Sequence, residues 1–311
     1  MRAVDRDLDL DGVSVFVREV GAGQPVLLIN GIGAHTEMWR PTERALDGLR
    51  ILSFDAPGTG RSDTTMRPWT MGRLARLVIA MLDRLEIAEA DVVGYSFGGA
   101  VAQQFAVDAP DRVRRLVLAS SFPGWGGVPG HLRALLSMGT PLRHYSRTFY
   151  EHTAGTIAGG RARTDSEYVS RLWRDRAGQV PSIAGYTQQQ WAMAFWSSLP
   201  WLERIRAPTL IVVGDDDPLV PLSNPVMMAA RIPNSRMFIG PGEGHFQLLD
   251  DESAGLAAIK DFLCAPRLDD VDVWRSSPPI LSTEVADQMR LDGIGALPWG
   301  AISAVVRRVY A

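Results

Sequence analysis

The sequence predicts an α/β protein: a mostly parallel central sheet, helices on both of its faces, and an inserted helical cap. Three observations predict it. Short continuous apolar runs alternate with stretches of helical periodicity, which is the pattern of strands buried on both faces. One run ends at Gly94-Tyr95-Ser96-Phe97-Gly98 and opens at once into Gly99-Ala100-Val101-Ala102-Gln103-Gln104-Phe105-Ala106, reading as strand, sharp turn and helix. The spacing then breaks across residues 120–208. A structureless loop of that length is uncommon in a compact domain, so an insertion with helices of its own is expected there.

The elements follow in order. Val13 to Val20 alternates and is rich in β-branched residues, so it predicts an early strand. Val26-Leu27-Leu28-Ile29 and Ile51-Leu52-Ser53-Phe54 are short buried strands, ending at Asn30-Gly31-Ile32-Gly33 and Asp55-Ala56-Pro57-Gly58. Met71 to Leu85 is apolar at helical spacing. Asp91 to Tyr95, Val113 to Ala119, Thr209 to Val213 and Met237 to Ile239 are the remaining strands, and Ser253 to Leu263 is a closing helix. The expected division is a core of residues 1–120 and 202–264, a helical cap of residues 121–201, and a C-terminal extension, 265–311, of unassigned role. The extension holds an amphipathic stretch from Ala301 to Tyr310. Packing on its own domain is the plain reading, and a homodimer or membrane-surface contact is the other.

Composition excludes several classes. The chain has 311 residues, 46% of them hydrophobic, enough for one large domain with an inserted subdomain. A formal net charge of −3 is no electrostatic footprint for nucleic acid. One cysteine, Cys264, cannot form an intrachain disulfide framework. The N-terminal residues carry no apolar signal core, and no run approaches the roughly 18 apolar residues of a membrane span. A cytoplasmic protein is the expectation. Neither Gly58-Thr59-Gly60 nor Gly94 to Gly99 has the spacing, or the lysine, of a nucleotide-binding loop. No His/Cys cluster suggests a metal, and no cofactor is expected.

The residues that remain suggest covalent catalysis. A serine at the tip of a strand–turn–helix is pushed into the open, but its hydroxyl is a poor nucleophile until a base takes the proton. Of the five histidines, His245 sits in a glycine-rich loop, Gly240-Pro241-Gly242-Glu243-Gly244-His245-Phe246, just past the last strand. His131, His144 and His152 fall in the insertion and are expected at the surface or at a hinge, whereas His35 lies beside the Asn30–Gly33 turn and borders the pocket. A carboxylate must orient the base, and Gly214-Asp215-Asp216-Asp217-Pro218 follows a strand directly. Asp217 is the first candidate and Asp215 the second. The amides of Phe97 and Ile32 are the expected oxyanion donors. Asp55 also ends a strand, and bonding turn amides is its expected role. Gly31, Trp125, Trp191, Trp196 and Phe246 are the expected substrate-binding residues.

Taken together, Asn30–Gly33, Phe54–Ser62, Gly94–Gly99, Gly214–Pro221 and Gly244-His245 resemble the ordered motifs of the α/β-hydrolase fold, over roughly residues 10–264. The order Ser96, then an aspartate, then His245 is that family's triad order, and its Gly-x-x-Asp spacing selects Asp217. More narrowly, Asn30-Gly31-Ile32-Gly33-Ala34, Ala100 to Ala106, Ile205-Arg206-Ala207-Pro208-Thr209-Leu210 and Arg231-Ile232-Pro233-Asn234 are similar to intracellular medium-chain-length polyhydroxyalkanoate depolymerases. The resemblance implies cofactor-free hydrolysis of esters between 3-hydroxyacyl units, with a small or oligomeric ester as substrate. Phe97 stands where those enzymes carry tryptophan, the cap matches in patches such as Ala158-Gly159-Gly160-Arg161, and the tail has no counterpart. A C–C bond hydrolase with the same triad and a non-catalytic binding module of the same fold are the alternatives. A dehalogenase or epoxide hydrolase would need an aspartate where Ser96 stands.

Overall fold

The computed structural model describes residues 3–176, 178–280 and 282–292. Eight strands form one sheet: β1 (Ala3–Leu10), β2 (Val13–Val20), β3 (Pro25–Ile29), β4 (Arg50–Phe54), β5 (Ala90–Tyr95), β6 (Val113–Ala119), β7 (Thr209–Gly214) and β8 (Ser235–Gly240). Their spatial order is β1-β2-β4-β3-β5-β6-β7-β8. The β1–β2 and β2–β4 pairs are antiparallel and the others parallel.

Alternation along the parallel strands feeds two cores. Leu27, Ile29, Val92, Leu116, Leu118 and Ile211 face one side, whereas Val26, Leu28, Val93, Val117, Leu210 and Val212 face the other. The first side is covered by α2 (Met71–Arg84), α3 (Phe97–Asp108) and α9 (Ser223–Ala229); the second by α1 (Arg40–Ala45), α10 (Ala254–Cys264) and α11 (Asp272–Ser276). Local signals set these helices. In α2, Leu74, Leu77, Val78, Met81 and Leu82 recur on one buried stripe, and the Thr70 side chain caps the Arg73 amide. Ser253 caps α10 at Leu256 in the same way.

Between β6 and β7 lie α4 (Leu132–Met138), α5 (Leu142–Tyr145), α6 (Arg147–Ala158), α7 (Ser166–Arg176) and α8 (Ile183–Ala194). The two ends of this stretch meet in an antiparallel bridge, Gly124 with Ser197. The helices share a third core, centred on Tyr150, Tyr168 and Leu172 against Met38 and Leu249 of the sheet domain. After α10, Trp274 stacks on Phe262 at 5.4 Å, and α12 (Ser282–Leu291) packs on α9. The Asp292 carboxylate accepts from the Ser223 amide at 2.9 Å and the Ser223 hydroxyl at 2.6 Å. The amphipathic stretch from Ala301 to Tyr310 lies outside the described residues.

The strand β1 carries no signal in the sequence. It is an edge strand exposed along nearly its whole length, and its charged residues carry no burial pattern to detect. Among the described residues, no helix is long and apolar enough to cross a membrane.

Candidate active site

Ser96, Asp217, His245 and Ile32 all follow the carboxyl ends of strands, β5, β7, β8 and β3 respectively. This is the edge at which open α/β sheets place their chemistry. Ser96 sits between β5 and α3 at φ 54°, ψ −117°, a left-handed position that a side chain seldom adopts. The turn holds because its flanks lack side chains. A Cβ on Gly94 would lie 2.6 Å from Ala102 Cβ, and one on Gly98 would overlap the Ile29 carbonyl oxygen. The Ser96 amide donates to Ala119 O at 2.9 Å, pinning the turn to β6.

His245 Nε2 stands 3.0 Å from Ser96 Oγ, and its Nδ1 stands 2.8 Å from Asp217 Oδ2. Asp217 Oδ1 accepts from the amides of Leu219 at 2.9 Å and Val220 at 3.0 Å. The carboxylate is thus buried with both oxygens engaged, and it orients the imidazole so that Nε2 faces the hydroxyl. Tyr95 Oη donates to the His245 carbonyl at 2.8 Å. Burial and, next, the Asp217 charge push the Tyr95 phenol above its ordinary pKa, so it remains a donor. The His245 amide donates to Ala158 O at the end of α6 at 2.6 Å, so the inserted helices help to hold His245.

The three aspartates separate by environment. Asp215 accepts from the Gly242 amide at 2.6 Å, and Asp216 pairs with Arg163 at 2.8 Å and accepts from Gly160 N at 2.7 Å. The Arg163 guanidinium holds the Asp216 carboxyl below its usual range. Only Asp217 reaches the histidine. Asp55 accepts from the amides of Thr36 at 2.7 Å and Arg61 at 2.8 Å, a turn-bonding arrangement.

The Asn30–Gly33 loop is fixed from two directions. Ala34 N donates to Gly31 O at 3.1 Å, Gly33 N donates to Gln189 Oε1 of α8 at 2.8 Å, and Arg143 Nη2 of α5 donates to Ile32 O at 3.0 Å. These bonds use the amides of Ala34 and Gly33. Phe97 opens α3, where an amide has no intrahelical acceptor. Ile32 and Phe97 both line a cavity of about 470 Å³ with Ser96 and His245, its walls mostly apolar, with Trp125, Leu135, Met138 and Met193 among them. A second, narrower chamber of about 30 Å³ meets it at Ile32, Ser96, Met138, Leu219 and His245. Gly31 and Phe246 line this chamber.

Four expectations need correction. Trp191 lies outside the cavity lining: it is on the outer face of α8, 59% exposed and stacked on Phe195 at 5.4 Å, because Tyr186 and Gln189 take the helix's inner face. Trp196 is a buried structural residue at the base of the insertion, donating through Nε1 to Gln104 at 2.8 Å and packed edge-on against Trp201. His144 is not at the surface. It is buried on α5 beside Tyr186 and lines the narrow chamber, and burial, then Arg143, hold its pKa well below the ordinary value. His35 is buried beside the loop and does not line either cavity, whereas His131 and His152 are exposed as expected. Arg143, Arg176, Met138 and Leu219 are lining residues the sequence reading missed. The first three lie in the insertion, where nothing local says which face meets the sheet edge. Among the described residues, no group of side chains has the makings of a metal site.

The family described as alpha/beta hydrolase fold matches residues 24–252. The chain belongs to that family. It is a hydrolytic enzyme, with its strand order, its serine turn and its Ser–His–Asp contacts in keeping. A poly(3-hydroxyalkanoate) depolymerase of Ectopseudomonas oleovorans is 41% identical over 265 residues, covering 83% of this chain and 92% of that one, in line with the resemblance noted in the motifs. A 2-hydroxy-6-oxononadienedioate/2-hydroxy-6-oxononatrienedioate hydrolase of Comamonas testosteroni is 26% identical over 82% of this chain and 92% of that one. Among solved structures, a hydrolase from Pseudomonas aeruginosa superposes with a TM-score of 0.68 at 28% identity, covering 84% of this chain and 98% of that one.

Proposed function

We propose that the protein is a serine carboxylic-ester hydrolase acting on hydrophobic 3-hydroxyacyl esters, with Ser96 as nucleophile, His245 as general base and Asp217 as its orienting carboxylate. The observation that carries the reading is the continuous hydrogen-bonded chain from Asp217 through His245 to Ser96, opening onto an apolar cavity of about 470 Å³. A cavity of that size suits a medium-length acyl chain.

In the proposed cycle His245 Nε2 takes the Ser96 proton as Oγ attacks the ester carbonyl. The oxyanion forms beside the amides of Ile32 and Phe97, which carry its charge. His245 returns the proton to the leaving alkoxide, the alcohol departs, and water activated by the same histidine releases the acid. Asp217 holds the tautomer and stabilises the imidazolium. The insertion forms the cap: its Trp125 and Leu135 close the acyl cavity, while Phe246, from the loop after β8, closes the narrow chamber.

The test is turnover of p-nitrophenyl acyl esters across an acyl-length series, alongside a medium-chain polyhydroxyalkanoate suspension. The reading expects a burst of nitrophenol, labelling of Ser96 by a fluorophosphonate, and loss of both in Ser96→Ala. Retention of most activity in that variant would sink the mechanism. Kinship with a dienedioate hydrolase supports a second reading, C–C bond cleavage. Turnover of a 2-hydroxy-6-oxo-dienoate without turnover of any ester would favour it.

A further inference from the structure

The narrow chamber beside Ser96 is unlike the rest of the site. Arg143 and Arg176 line it, and both are buried, at 5% exposure each. Neither has an ion pair with a carboxylate among the described residues. Arg143 donates to the Tyr186 hydroxyl and the Ile32 carbonyl, both uncharged. Arg176 lies 4.3 Å over the Tyr150 ring, and its Nε and Nη1 are buried without a hydrogen-bond partner. His144 lines the same chamber, and its Nε2 also lacks a partner. The chamber's lining contains no acidic side chain.

Buried cations are ordinarily paired, because an unpaired charge loses its hydration and gains nothing in return. Two of them side by side also repel each other. A volume of about 30 Å³ holds two waters or one carboxylate group, and far less than an alkyl chain. Guanidinium donors match a carboxylate in geometry as well as charge.

We infer that this chamber is a carboxylate subsite, formed by Arg176 and Arg143 with His144, that takes the free acid end of a hydroxyacyl ester. The inference rests on the ester reading and specifies its substrate. In a linear 3-hydroxyacyl dimer the terminal carboxylate lies only a few bonds beyond the scissile ester, on the alcohol side. The acyl part then occupies the apolar cavity, and the two compartments meet where Ser96 and His245 stand. Attack by Ser96 Oγ breaks the ester C–O bond; the leaving alkoxide takes the proton from His245 and departs as a free 3-hydroxy acid. Water then hydrolyses the acyl-enzyme, exposing a new carboxylate end on the remaining chain. The enzyme so arranged removes units from the acid terminus.

The experiment compares kcat/KM for 3-hydroxyoctanoyl-3-hydroxyoctanoic acid with that for its methyl ester, at neutral pH. The wild-type protein is expected to prefer the free acid by about tenfold to a hundredfold, the scale of a charge-assisted hydrogen bond. In Arg176→Met that ratio should fall towards one. A wild-type ratio near one overturns the subsite, whatever the variant does, and shows a chamber that holds only water. If Arg176→Met does not fold, competitive inhibition of wild-type p-nitrophenyl ester hydrolysis takes its place. There, 3-hydroxyoctanoate should inhibit at least tenfold more strongly than methyl 3-hydroxyoctanoate, and equal inhibition again overturns it. Calorimetric binding of 3-hydroxyoctanoate to Ser96→Ala separates the two readings, since it requires no ester turnover. Binding there with no esterase activity in the wild type would remove the ester reading and keep the subsite.

Discussion

Replacing Asp217 by asparagine removes one charge and leaves the loop nearly untouched. Asp217 Oδ1 accepts from the amides of Leu219 at 2.9 Å and Val220 at 3.0 Å, and an asparagine oxygen can keep both bonds. The asparagine NH₂ then faces His245 Nδ1, where Oδ2 stood at 2.8 Å. An NH₂ group only donates, so Nδ1 must accept, and the ring proton moves to Nε2. Nε2 lies 3.0 Å from Ser96 Oγ and can no longer take its proton. The positive imidazolium also loses its buried counter-charge. In serine proteases the equivalent change lowers kcat about ten-thousandfold, or about 5.5 kcal/mol of transition-state stabilisation. We expect a loss of that order for Asp217→Asn in steady-state p-nitrophenyl ester turnover, with the melting temperature moved by only a few degrees. A kcat within tenfold of the wild type, from a folded variant, would refute the assignment of Asp217 as the orienting group.

Three further outcomes are expected. Gly98→Ala puts a methyl group onto the Ile29 carbonyl oxygen, so the turn must shift; the melting temperature should drop clearly, and an unchanged melt would contradict the close approach. Trp125→Ala should raise KM for long-chain esters by several-fold and spare acetate, because Trp125 lines the large cavity, whereas Trp191→Ala should change neither, as Trp191 faces solvent. Burial, then Arg176, lower the His35 pKa to about 4 from an ordinary 6.5. The unfolded chain therefore binds the proton first as pH falls, so stability is intact above about pH 6.5 and declines towards pH 4, by up to about 3 kcal/mol from this residue. Urea unfolding midpoints across that range should show a shallower decline in His35→Gln, and identical slopes would remove His35 as the source.

How much of this was legible in the sequence depends on whether a residue's role is set locally. The parallel strands were readable because both their faces are buried, so each is a short unbroken apolar run. The serine turn was readable because close approach demands glycine on both sides of Ser96, and a glycine pattern survives in one dimension. His245 and Asp217 follow strands in loops with their own turn chemistry, so each was nameable before the fold was known. Orientation set by packing was not legible in the sequence. Trp191, Trp196 and Trp125 look equivalent as aromatic residues of the insertion, yet its packing sends Trp191 of α8 to solvent, Trp196 to the base of the insertion and Trp125 to the cavity. Arg176 and Arg143 gave no signal at all. An arginine is ordinarily a surface residue, and only the folded insertion shows that these two are buried with no acidic partner among the described residues.

The placement of the insertion also bears on His245 itself. The C-terminal turn of α6 sits against the loops that carry Asp217 and His245. Ala158 O accepts the His245 amide at 2.6 Å, Gly160 N donates to Asp216 at 2.7 Å, and Arg163 grips the same carboxylate at 2.8 and 2.9 Å. A Cβ on Gly244 or Gly159 would run into backbone across this seam, so the contact is backbone to backbone and has little room to slide. On the opposite side, α5 and α8 hold the Ile32–Gly33 loop through Arg143 and Gln189. The segment that walls the large cavity therefore also positions the His245 imidazole and the Ile32–Gly33 loop. Substitutions in the insertion should consequently reach kcat as well as KM when they fall on this seam, and KM alone when they fall on the cavity wall. That division follows from where the hydrogen bonds run: the insertion is tied to the His245 and Ile32 loops as well as walling the cavity.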